Sequence, residues 1–275
     1  MNVNNNLAAV NSYRNLSANQ TSVANGLERL SSGYRINSAA DDAAGLAISE
    51  GMRSLTGGLE RASQNAQNGV SLIQTAEGGL SGTQDALTRM RELAVQASNG
   101  TMSDTDRAML NREFGELRES ISGIAESTNY NGINLLDGTQ SDGLTLQIGA
   151  QGGADQRMQV AIGDMGADAL GLSDLDISTA AGANAALEAI DAASEIVSST
   201  RGDLGATQNR LESTISNLEA ARFNTTASEA TIRDLDMARE AMNQSTRHIL
   251  SESSNAVQAQ SMNLMRQNAM ALLVR

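Results

Sequence analysis

The residues able to do chemistry in this 275-residue chain are few, and their spacing argues against catalysis. There is no Cys, which excludes a thiol nucleophile, a disulfide framework and an iron–sulfur ligand set. His248 is the one imidazole, so a His-rich zinc site is excluded and a Ser-His-Asp triad could form only around it. Its Asn, Ser and Thr neighbours suit a solvated or interface side chain. Asp137 and Asp142, in DGTQSDG, lack the spacing of an EF-hand calcium loop and read as a turn. Asp41 and Asp42, close to Gly45, read as a capped helix start, because no His or cleft accompanies them. No enzyme activity, cofactor or metal is expected.

Charge is unevenly spread. The 19 basic side chains are all Arg, against 32 acidic ones, for a net charge of −13. Residues 1–56 carry four Arg and four acids, residues 57–222 ten Arg and 23 acids, and residues 223–275 five of each. The whole excess lies in the middle. Such a body opposes binding to nucleic acid or an anionic membrane. No apolar run approaches the ~18 residues of a membrane span. The first basic residue is Arg14, so the charged start of a Sec signal is not expected.

The elements that must carry these residues are mostly long helices. Pro is absent, where average usage is about 5%, and Pro is what breaks helix interiors. Leu59, Ala66, Ile73, Leu80, Leu87 and Ala94 recur every seven residues, with Ala62, Gly69, Ala76, Thr83, Met90 and Ala97 three positions behind. This heptad seam predicts a coiled-coil-like helix over 57–100, roughly 65 Å long at 1.5 Å per residue. Ser103 and Asp106 make a capping-box-like start, and Leu110, Phe114, Leu117, Ile121 and Ile124 continue as an amphipathic helix. Asn-Gly at 131–132 and Asp-Gly at 137–138 predict turns.

Period two in Leu144, Leu146 and Ile148, then in Met158, Val160 and Ile162, predicts a β-hairpin near 143–165. A second long helix carries Ile190, Val197, Leu204, Leu211 and Leu218, with a more polar companion row of Ala193, Thr200, Thr207, Thr214 and Ala221. The ends are helical but thinly apolar: Leu16, Val23 and Leu30 at the N-terminus, and two rows at the C-terminus, Leu235, Met242 and Ile249, and Leu250, Val257 and Leu264. Such helices are marginal alone and need a partner, within the chain or from another copy. The predicted organisation is therefore mainly α: an N-terminal helix and linker over 1–56, a helical bundle with a β-hairpin over 57–222, and a linker and C-terminal helix over 223–275. The links fall at 31–56 and 223–234.

Several segments resemble one family in order along the chain. LSSGYRINSAADDAAGLAISEGMRS at 30–54 is similar to the N-terminal signature of bacterial flagellins, as are VSLIQTAE at 70–77 and TRMRELAVQA at 88–97. NYNGINLLDG at 129–138, GATQNRLESTISNL at 205–218, IRDLDMAR at 232–239 and the final LLVR agree too. The resemblance implies a subunit that self-assembles into the helical flagellar filament used for swimming. Long coiled-coil helices from both termini (D0) would line its centre, around them an elongated helical bundle with a β-hairpin (D1). The short stretch 165–180, where relatives insert outer domains, implies a minimal form with D0 and D1 alone. The alternative within the same axial family is a hook–filament junction protein.

The resemblance further implies export through the flagellar type III apparatus and an extracellular location. Its implied partners are other copies of the chain, an export chaperone, the filament cap and hook–filament junction proteins. The vertebrate Toll-like flagellin receptor would be recognised by Arg89, Leu93 and Glu113. Leu16, Val23, Leu30, Leu235, Met242, Ile249, Leu250, Val257 and Leu264 would pack the filament core.

Overall fold

The computed structural model describes residues 7–273. Five long helices dominate: α1 (Leu7–Ser32), α2 (Ala43–Ser98), α3 (Asp104–Ser127), α4 (Ala180–Arg233) and α5 (Met237–Leu273). Two antiparallel hairpins lie between α3 and α4: β1 (Asn129–Tyr130) with β2 (Ile133–Asn134), and β3 (Leu144–Gln147) with β4 (Arg157–Val160). The chain divides into two compact units, residues 1–54 with 224–275, and residues 55–223.

In the 55–223 unit the heptad seam of α2 is the spine of the core. Leu59, Ala62, Ala66, Ile73, Ala76, Leu80, Thr83, Leu87, Met90, Ala94 and Ala97 are all buried, as is Gly69. Gly69 is needed where it stands: a Cβ there would meet Leu146 Cδ1 at 2.5 Å. From α4, Ile190, Val197, Leu204 and Leu211 are buried against this core, while Thr200, Thr207 and Thr214 of the polar row stay half-buried. Arg91 with Asp191 (2.9 Å) and Arg201 with Glu77 (3.2 Å) tie α2 to α4.

The break between α2 and α3 is chemically explicit. The Ser103 Oγ accepts from the Asp106 N–H at the start of α3 and donates to its carboxylate at 2.7 Å. The buried Arg107 guanidinium donates to the Ala97 and Asn99 carbonyls, satisfying acceptors at the end of α2. Asn131-Gly132 closes the β1–β2 hairpin with positive φ at both residues (52° and 79°), the conformation that Asn-Gly favours in a two-residue turn. In the second hairpin Leu144 pairs with Val160 and Leu146 with Met158. The stretch after it, 165–179, is held down by Met165, Ala167, Leu170, Leu172 and Ile177, all buried.

The expected links are mostly helical. α2 begins at Ala43 and α4 continues to Arg233, leaving 33–42 and 234–236 as the connections. Glycines at 45, 51, 57 and 58 each weaken a helix by about 1 kcal/mol, but no Pro removes a backbone bond, so the helix runs through them. Leu235 accordingly lies between α4 and α5 rather than on the C-terminal helix.

Candidate functional site

Three arrangements merit description, beginning with the joints of the 1–54/224–275 unit. The loop after α1 pairs with the loop before α5: Tyr34 bridges Asp234, Arg35 N–H donates to the Arg233 carbonyl (2.7 Å) and Leu235 N–H to the Gly33 carbonyl (3.0 Å). Gly33 takes φ 74°, which turns the chain out of α1. The Arg233 guanidinium lies 4.7 Å over the Tyr34 ring and donates to Glu50 at 2.8 Å, while Arg53 reaches both Glu50 and Glu229. The hydrogen bond from Arg233, helped by the nearby Arg53 charge, outweighs the loss of solvation and holds the Glu50 carboxyl below the usual range.

Beside this clasp Ile36 is buried, and Asp42 Oδ1 accepts from the Gly45 N–H to cap α2. Asp41 accepts from Arg29 at 2.7 Å and from the N–H groups of Asn37 and Ser38. Those donors, Arg29 foremost, lower its pKa from 3.8 to about 2. The two aspartates thus organise a loop, and no acid/base geometry accompanies them.

The second arrangement is the pairing of α1 with α5. The face of α1 toward α5 carries Leu16, Val23 and Leu30, buried or half-buried. The answering face of α5 is polar. Among the described residues its buried and half-buried positions are Glu240, Gln244, Arg247, Ser251, Ser254, Gln258 and Ser261, at steps of three and four. Gln244 donates to the Val23 carbonyl (3.0 Å), and Asn19 to Ser254 (3.3 Å). Arg247 pairs with the buried Glu240 at 2.7 Å. Both apolar rows of α5 point away: Met242, Ile249, Leu250, Val257 and Leu264 are 51–67% exposed. Leu7, Val10, Tyr13 and Leu27 of α1 are exposed as well. The sequence left open whether a partner within the chain or another copy covers these rows; within the chain, α1 does not cover the α5 rows.

The third arrangement lies in the other unit. Arg89 on α2 donates twice to Glu113 on α3, at 2.9 and 2.7 Å, and also to Glu92 at 2.9 Å. Glu113 first and Glu92 second raise the guanidinium's pKa further. Leu93 does not join them at the surface; it is 1% exposed and packs in the core. His248 is exposed, 3.6 Å from Glu252. Among the described residues no cluster of three potential metal ligands occurs, and no helix is long and apolar enough to cross a membrane. Two surface depressions, of about 400 and 410 Å³, are open and lined by Arg118, Glu119 and Ser173, and by Arg157, Asn209 and Arg210.

The clasp around Arg233 was missed as a site. Its residues, Tyr34, Arg35, Glu50, Arg53 and Arg233, nevertheless lie in the two segments LSSGYRINSAADDAAGLAISEGMRS and IRDLDMAR. An Arg-rich motif at each end of a chain was the available signal.

These arrangements define an assembly protein: a packed acidic helical body, and a terminal helix pair that leaves its apolar rows open. The profile of the bacterial flagellin N-terminal helical region matches residues 3–141, and that of the C-terminal helical region matches residues 187–273. A flagellin of Bacillus subtilis is 45% identical over 99% of this chain and 100% of its own length. A flagellin of Halalkalibacterium halodurans is 47% identical over 94% of each. A flagellar filament 31.3 kDa core protein of Treponema maltophilum is 43% identical over 98% of this chain and 99% of its own.

The crystal structure of Bacillus cereus flagellin, 30% identical, covers 56% of this chain and 88% of that one with a TM-score of 0.50. A putative flagellar hook-associated protein of Vibrio parahaemolyticus shares the fold at 18% identity, over 70% of this chain and all of that one, with a TM-score of 0.60. The chain belongs to the bacterial flagellin family. It is a structural, self-polymerising subunit of a flagellar filament, and the hook–filament junction alternative is not favoured.

Proposed function

We propose that polymerisation is completed by the exposed rows of α5. The observation that carries this is the polar row α5 turns to α1, which leaves more than half of Met242, Ile249, Leu250, Val257 and Leu264 exposed. Neighbouring copies would cover these residues and pack the filament core around them, with Leu16, Val23, Leu30 and the Leu235 joint setting the α1–α5 pair that presents them. Residues 1–56 and 223–275 would then form the inner D0 region, and 57–222 the D1 body. The subunit would do no catalysis. Export through the type III apparatus would place it outside the cell, with an export chaperone, the filament cap and junction proteins as transient partners. Seeded polymerisation followed by electron microscopy tests this. Loss of filaments on deleting 235–275 is expected, and undiminished polymerisation would overturn it.

Recognition by the Toll-like flagellin receptor is a second reading, favoured by the exposed Arg89–Glu113–Glu92 cluster, with Leu93 holding α2 in place beneath it. A reporter assay with wild-type and Arg89→Ala monomer tests it. Silence of the wild type at high concentration would remove it.

A further inference from the structure

We propose that the methionines of α5 are an oxidation-sensitive modification site that controls whether a subunit can enter the polymer. The inference rests on the reading that α5 becomes covered by other copies. Its starting point is compositional. With no Cys and no Trp, the thioethers are the chain's most readily oxidised side chains.

Burial then divides them. Met90, Met158 and Met165 are at most 6% exposed in the core of the 55–223 unit. Met237, Met242, Met262 and Met270 on α5 are 49–67% exposed, and outside that helix Met109 on α3 is 52% exposed. A peroxide meets the second group first. The sulfur lone pair attacks one peroxide oxygen, the O–O bond breaks, and the S–O bond of the sulfoxide forms. The departing oxygen leaves as water, so sulfur loses two electrons and the peroxide gains them.

The consequence follows from where those sulfurs sit. Met242 belongs to an apolar row, and Met262 and Met270 share its helix among Asn, Gln and Ala. An exposed sulfoxide is solvated and leaves the free subunit's fold undisturbed. A sulfoxide covered by another copy must shed water without a designed donor, which burial of a polar group makes costly. Oxidation would therefore act on entry into the polymer and spare the monomer. A subunit already in the polymer would have these sulfurs shielded.

The experiment treats free subunits and sedimented polymer with the same dilute hydrogen peroxide, and measures sulfoxide at each methionine by peptide mass spectrometry. In free subunits Met237, Met242, Met262 and Met270 should oxidise at least about tenfold faster than Met90, Met158 and Met165. In polymer they should be protected to a similar degree. Partly oxidised wild-type subunits are then seeded and separated into pellet and supernatant, and sulfoxide at Met242, Met262 and Met270 should be depleted from the pellet.

A variant carrying M237L, M242L, M262L, M265L and M270L should polymerise equally well before and after peroxide. The pellet–supernatant comparison needs no variant, so a variant that fails to assemble leaves the test intact. Equal oxidation of α5 in polymer and free subunit would overturn the covering of α5 itself. Protection in the polymer together with equal sulfoxide in pellet and supernatant would overturn this inference and leave that reading standing.

Discussion

Replacing Ile249 and Leu250 together by Ala tests the assembly reading most directly. In the free chain these side chains are 65% and 51% exposed. Complete burial of such a side chain is worth about 1.5–3 kcal/mol. Scaled to what remains exposed, covering by neighbours contributes about 1–2 kcal/mol at Ile249 and about 0.8–1.5 kcal/mol at Leu250. Alanine keeps roughly a quarter of the carbon atoms, so the pair loses about 1.5–2.5 kcal/mol per subunit added. At about 1.4 kcal/mol per tenfold, the critical concentration for elongation should rise roughly 10- to 60-fold. The rigid-body cost of association is common to both proteins and drops out of this difference.

The free subunit should not suffer. Alanine is the better helix former, which offsets the part of each side chain already covered within the chain, so helicity and melting temperature should change little. Sedimentation of seeded polymer at graded concentrations reads the first quantity, and circular dichroism of the monomer the second. An unchanged critical concentration would refute the reasoning. So would a destabilised monomer, since it would mean the two side chains already pack within the chain.

Asp41→Asn removes the acceptor that gathers Arg29, Asn37 and Ser38. With the folded pKa near 2 against 3.8 and the carboxylate about a quarter exposed, it should cost about 1–2 kcal/mol at neutral pH. Because the folded pKa is lowered, the wild type's advantage is complete above pH 3.8 and vanishes as pH falls through about 2, which acid unfolding monitored at α1 and α5 would show. Two neighbouring glycines of α2 should respond with opposite signs. Gly78→Ala has open space and should stabilise by up to about 1 kcal/mol, whereas Gly79→Ala brings a Cβ within 2.8 Å of Leu136 Cδ1 and 2.6 Å of Thr128 Oγ1 and should destabilise by about 1–3 kcal/mol before that helix gain. Ser103→Ala removes the cap of α3 and should lower stability by about 1 kcal/mol in thermal melts, with hydrogen exchange rising first at Asp106.

How far the sequence could be read depended on the range of the interaction. The seam of α2 was legible because twelve positions at heptad spacing must share one face, and burial of that face follows from there being another helix to meet. The Ser103 cap and the β3–β4 pairing are likewise local patterns. The outward face of α5 was not legible. Periodicity says which residues share a face, but a helix with an apolar face and a polar one can offer either to a neighbour, and Gln244 and Ser254 took the intramolecular side. The clasp joins positions such as Glu50 and Arg233, 183 residues apart, and no spacing rule reaches that far. Leu93 illustrates the converse. Its place in TRMRELAVQA puts it beside Arg89 in sequence, yet the helix turns it inward and leaves Glu92 at the surface.

Burial and charge draw the same boundary along the chain. Among the described residues the 1–54/224–275 unit buries two apolar side chains, Leu16 and Ile36, whereas the 55–223 unit buries a large core and a smaller cluster of Leu59, Ala62 and Leu218. Ordering a residue costs about 1–2 kcal/mol, so a unit so poor in buried apolar surface gains little from its own packing and depends on what comes to cover it. Its nine Arg and nine acids leave it neutral, while the other unit holds the full −13. Neutrality suits the proposed covering of α5, because copies that cover it would bring identical charges together, and a net charge on that unit would repel in proportion to its square. On that proposal the segment to be covered by other copies is the segment whose charge permits them, and the excess negative charge resides in the unit that buries its own core.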